Sequence, residues 1–138
     1  MQSEADMKRE IAKNEYYEAY VDEEVNRMYW VMRGHWKKLS DVPDFRKHNR
    51  ETIGCLKPGF TAVIDMREME IPGAEVLDLM LQVTRDSEEA GKGRQAHIIN
   101  KEDMEAVRAS RGVMKEADMD LKMMQFGTFE EAIEWLNR

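Results

Sequence analysis

The feature that most constrains this chain is a repeated change of hydrophobic period. From residue 26 onward, short apolar runs of strand character alternate with longer stretches of helical period. Strands separated by helices cannot be joined by tight hairpins. They need crossovers, which are right-handed and lead to a mostly parallel sheet with helices packed on it.

The alternation can be followed along the chain. Glu15 to Val21 puts Tyr17, Ala19 and Val21 on one side, and Arg27 to Arg33 puts Met28, Trp30 and Met32 on one side. The short polar break between them makes a β-hairpin the natural pairing. Ser40 or Asp41 is placed to cap a helix that runs to about Leu56, with Pro43 in its first turn. Lys57-Pro58-Gly59 stops it, and the almost wholly apolar Phe60 to Met66 suits a central strand covered on both faces. Pro72-Gly73 opens a second helix, ended by Gly91-Lys92-Gly93. Gln95 to Ile99 is a short strand, Asn100 caps a helix with Met104, Val107 and Met114 inward, and Leu121 to Phe126 is the last strand. Thr128 and Glu131 form a capping box for a closing helix that turns Ala132, Ile133 and Leu136 inward.

The expected fold class is therefore α/β: a mixed, mostly parallel five-stranded sheet in the order β-β-α-β-α-β-α-β-α, with helices mainly on one face. Residues 1–12 are expected as a tail or short helix, and residues 13–138 as one domain. With 21 Lys and Arg against 28 Asp and Glu the net charge is −7, which disfavours general nucleic-acid binding. No apolar run is long enough to span a bilayer. The amino terminus has no basic start followed by an apolar stretch, and Cys55 is alone, so a cytoplasmic protein with a reduced thiol is expected.

Four stretches resemble the STAS domain, and more closely the SpoIIAA-like STAS/SEC14 group of small bacterial proteins. They are Arg33-Gly34-His35-Trp36, Leu56-Lys57-Pro58-Gly59-Phe60 leading into Val63-Ile64-Asp65-Met66, the unit around Ile98-Ile99-Asn100, and Phe126-Gly127-Thr128-Phe129-Glu130-Glu131-Ala132-Ile133-Glu134-Trp135-Leu136. The resemblance covers about residues 14–138. It implies strands in roughly sequential order. It also implies a regulatory Ser or Thr at the start of the helix after the central strand, but Ile71-Pro72-Gly73-Ala74-Glu75 has no hydroxyl there. The usual serine-phosphorylation switch is therefore not carried over. The SEC14 side of the likeness implies a small amphipathic or lipid-like ligand, and twelve Met, otherwise ordinary core filler, would suit an adaptable pocket.

Ligands of parallel sheets gather outside the carboxyl ends of the strands. This makes Asp65, Arg67, Gly73, Asn100, Lys101 and Thr128 candidates for binding a ligand or partner, although capping alone accounts for Asn100 and Thr128. Lys37, Lys38, Arg46, Lys47 and Arg50 outweigh Asp41 and Asp44 and form a basic patch. Residues 116–134 are strongly acidic. Tyr29, Val31 and Val63 point away from the main helix layer. Unless the amino-terminal segment covers them, they form an apolar face for a homodimer or other protein partner. His35, His48 and His97 stand at no metal-ligand spacing from one another or from Cys55. No nucleophile–base pair is visible. The expectation is a non-enzymatic binding module without metal or cofactor, with an enzyme as the remote alternative because residues distant in sequence can converge in space.

Overall fold

The computed structural model describes residues 8–103 and 122–138. The expected inward positions Met104, Val107 and Met114 lie outside them. Six strands form one sheet in sequential order: β1 (Arg9–Lys13), β2 (Tyr17–Asp22), β3 (Arg27–Gly34), β4 (Thr61–Met69), β5 (Gln95–Ile98) and β6 (Met123–Phe126). The first two junctions are antiparallel and the remaining three parallel. The described helices are α1 (Phe45–Gly54), α2 (Ala74–Glu89) and α3 (Phe129–Leu136), with a 3-10 turn at Leu39–Asp41.

The sixth strand is an addition. All of Arg9–Lys13 but its last residue lies in the stretch expected as a tail or short helix, and the segment instead pairs antiparallel with β2 at the sheet edge, with a register shift after Glu10. A second difference concerns the cap before α1. The Asp41 carboxylate accepts from the Lys37 and Lys38 N–H groups at 3.1 and 3.0 Å and so closes the 3-10 turn. Helix α1 begins later, at Phe45, with no side-chain cap.

Strand alternation divides the core between the two faces. Tyr17, Ala19, Val21, Met28, Trp30, Met32, Ala62 and Ile64 face α1 and α2, meeting Phe45, Val76 and Val83. Tyr17, Trp30, Trp36 and Phe45 form an aromatic cluster with ring centroids 5.0–5.7 Å apart. Tyr29, Val63, Ala96 and Ile98 face the other way and are covered by Ala132, Trp135 and Leu136 of α3. Lys8 also places its ammonium 3.5 Å over the Tyr29 ring.

This corrects the expected oligomer face. Tyr29 and Val63 are only 3% and 2% exposed within a single chain. Val31, half-buried at the rim, is all that remains of that apolar face. Arg27, itself buried, ties α3 to the sheet by donating to Thr61 Oγ1 at 2.8 Å and Asn137 Oδ1 at 3.0 Å.

Candidate functional site

The strand-end candidates do not converge. Asp65 projects from β4 on the α3 side and receives a bidentate pair from Arg67, at 3.0 and 2.7 Å. This hydrogen bond, against the opposing effect of burial, raises the affinity of Arg67 for its proton. The depression beside the pair is lined by Val31, Met32 and Glu68, and by none of Gly73, Asn100, Lys101 or Thr128. Asn100 accepts from the Asp103 N–H at 2.9 Å, and Thr128 Oγ1 accepts from the Glu131 N–H at 3.2 Å, so both act as helix caps. Lys101 is exposed. Across Val31 from Asp65, Glu18 is held below its ordinary pKa, first by the Tyr20 hydroxyl and then by Arg33. Tyr20 is pushed up to about 12, mainly by burial and then by Glu18. This rim is charged; Glu18 pairs with Arg33 and Asp65 with Arg67, while Glu68 stands exposed.

The basic patch is divided. Arg46 and Arg50 turn toward Asp86 on α2, at 2.8 and 3.9 Å, and the hydrogen bond from Arg46 holds the Asp86 carboxyl below its ordinary pKa. Lys37, Lys38 and Lys47 remain exposed. Gly73 is a packing glycine. Its N–H donates to Trp36 O at 2.9 Å, and a Cβ added there would lie 2.2 Å from Lys37 O. The turn leading into α2 is thereby clamped onto the chain leaving β3. Ile71, two residues earlier, is 84% exposed. Leu39 and Leu77 are 44% and 45% exposed, and the 3-10 turn that carries Leu39 touches α2.

A third place was not singled out by the sequence. Between the sheet and the α1–α2 layer lies a cavity of about 100 Å³. Its walls are apolar, among them Trp30, Phe45, Met66, Met80 and Val83, while Asn49, Ser87, Lys92, Gln95 and His97 supply polar atoms. The side chain of Lys92 is 6% exposed, and its ammonium meets Glu88 at 3.3 Å and donates to Gln95 Oε1 at 2.5 Å. With its oxygen so used, the Gln95 amide turns its NH₂ to His97 Nε2. That ring nitrogen must then be the acceptor, which places the imidazole proton on Nδ1. Burial first, and the Lys92 charge second, bring the His97 pKa down to about 4, so the ring is neutral at ordinary pH. The sequence signal was Gln95 and His97 two apart on one strand face, with Lys92 between two glycines at a helix end. His48 is elsewhere, hydrogen-bonded through Nδ1 to the Tyr17 hydroxyl at 2.6 Å. Among the described residues no cluster of three His, Cys, Asp or Glu could hold a metal ion, and no helix is long and apolar enough to cross a membrane.

No family model and no curated protein matches the sequence. A solved structure does match. It is an uncharacterized protein from the DUF3478 family with a SpoIIAA-like fold, from Shewanella loihica PV-4. The two chains are 13% identical and superpose with a TM-score of 0.61 over 91% of this chain and 97% of the other. At that identity the likeness is one of fold. It agrees with the sequential strand order, the three parallel junctions and the helix layer found here, and the chain therefore has a SpoIIAA-like fold.

Proposed function

We propose that this chain is a non-enzymatic binding module that docks a protein partner at the turn into α2, without a serine-phosphorylation switch at that turn. The observation that carries the reading is Ile71, a large apolar side chain 84% exposed on a clamped segment of backbone. A rigid apolar residue in water is costly to keep and cheap to bury, because little ordering entropy is lost when a partner covers it. Leu39 and Leu77 extend the apolar surface on neighbouring elements, and Lys37 and Lys38 flank it. That arrangement suits a partner with an apolar centre and an acidic rim. The absence of a hydroxyl from Ile71 to Glu75 supports an interaction that is not switched by phosphate at this position.

The test compares tagged full-length protein with its Ile71→Asp variant in pull-downs from the source organism, read by mass spectrometry. Ile71 is so exposed that the variant is expected to melt like the parent. A stoichiometric protein held by the parent and lost from the variant supports the reading. An identical set on both, or none on either, overturns it.

A further inference from the structure

Asn49 is 1% exposed and lines the cavity beneath α1 and α2. Its Nδ2 donates to Ser87 Oγ at 3.2 Å, and the Ser87 hydroxyl proton goes to Val83 O at 3.1 Å. The Ser87 oxygen must therefore be the acceptor in the Asn49 pair. This fixes the amide orientation and leaves Asn49 Oδ1 without a donor among the described residues. A buried acceptor of this kind is costly unless something in the cavity serves it. The same cavity has the buried Lys92 ammonium at its edge, with two of three donors engaged among the described residues. One of those two goes to Glu88, which is itself 53% exposed. The cation is thus withdrawn from water while its carboxylate partner is not.

The rest of the lining is apolar and deformable, with Met28, Met32, Met66 and Met80 contributing thioether chains that can shift to fit. Size sets the class of occupant. An apolar cavity of about 150 Å³ takes up benzene, so about 100 Å³ suits an alkyl body of roughly four carbons, far less than a lipid chain.

We infer that this cavity is a binding site for a short, branched carboxylic acid, its carboxylate on Lys92 and its alkyl body among the methionines, Trp30 and Phe45. The neutral His97 holds the Gln95 amide by its NH₂, which fixes the Gln95 oxygen on one Lys92 donor and leaves another for the ligand. A hydroxyl on the ligand, or a water carried in with it, supplies the donor that Asn49 lacks. The site lies apart from Ile71 and does not rest on the partner-docking reading, so Ile71→Asp should leave it intact.

Calorimetry and ¹H–¹⁵N NMR on the full chain, with isovalerate as the probe, test this. Saturable one-to-one binding is expected, with shifts at the His97 and Trp30 signals. Isovaleramide, the uncharged isostere, should bind about tenfold or more weaker, as should isovalerate to Lys92→Met, because a charge-assisted hydrogen bond is lost in each case. Should Lys92→Met fail to fold, Thr84→Phe serves instead. Thr84 lines the cavity from the exposed side of α2, and the larger ring should close the entrance and abolish binding. Absence of saturable binding at concentrations on the order of 10 mM would overturn the assignment. So would equal affinity for the amide, or unchanged binding in Thr84→Phe.

Discussion

The two faces of the sheet solve the same problem differently. On the α3 face, Ala96 and Ile98 are fully buried and Tyr29 and Val63 nearly so, and the polar groups at the rim pair among themselves as Glu18 with Arg33 and Asp65 with Arg67. On the α1–α2 face, a tighter aromatic cluster coexists with a void and a buried cation. A face that is buried and self-paired in this way gains its stability from packing. A face that keeps a void beside a buried lysine forgoes stability there, and ligand sites are commonly found where that happens. The contrast can be broken or sharpened by measurement.

The largest effect should come from the aromatic cluster. Trp30 is 1% exposed and touches both Tyr17 and Phe45. Trp30→Ala should cost about 3–5 kcal/mol in urea unfolding. Trp135→Ala on the α3 face removes a ring that is 7% exposed and, among the described residues, stacked on Phe126 and Arg94, and should cost less. Equal costs would mean that the void leaves the cluster no better packed than the α3 layer.

His97 gives the next effect. Its pKa is lowered from 6.5 to about 4. The unfolded chain therefore binds the proton more readily than the folded one. Stability from the neutral ring is complete above pH 6.5 and is lost progressively as pH falls to about 4. The charged groups around it are Lys92, which opposes its protonation, Glu88, which pairs with Lys92, and Lys122 in the adjoining groove. The loss should be about 2 kcal/mol, the partly exposed ring keeping it below the full shift. His97→Gln should flatten the pH dependence of unfolding in this window, and an unchanged slope would assign the acid sensitivity to other groups.

How much of this was legible follows from what each residue answers to. Strand and helix positions answer to local period, so Tyr17, Trp30 and Ile64 on one face and Tyr29 and Val63 on the other could be assigned from sequence. Strand β1 answers to backbone pairing instead. Of Arg9–Lys13 only Ala12 is buried, so its side chains carry almost no pattern. The placement of α3 was hidden for another reason. A helix after the last strand closes no crossover, so the handedness rule does not assign it to a face. The cavity was hidden most deeply. Asn49, Ser87 and His97 come from three elements, and no spacing rule joins them.

Filling substitutions address the contrast directly. Val83 borders the void, so Val83→Ile should be neutral or stabilising by about 0.5–1 kcal/mol. Ala132, fully buried against the sheet on the sealed face, has no such room, and Ala132→Val should cost about 1–3 kcal/mol. If both substitutions destabilise alike, the void is too rigid or too polar at its lining to take a methylene, and the difference between the faces is smaller than the geometry indicates.

The smallest effect should come from the rim of the sealed face. Arg67 is 45% exposed, and its partner Asp65 is 17% exposed. An ion pair that open to water gains little over hydration, because water screens the attraction and two side chains must be held still. Arg67→Met should therefore change stability by less than about 1 kcal/mol, and the difference should fade further in high salt. A loss of several kcal/mol would mean that Asp65 is left buried and unpaired when the guanidinium goes. The rim would then be sealed as tightly as the core beneath it, and the strand-end depression beside Asp65 would regain its claim as a site where an incoming cation is held.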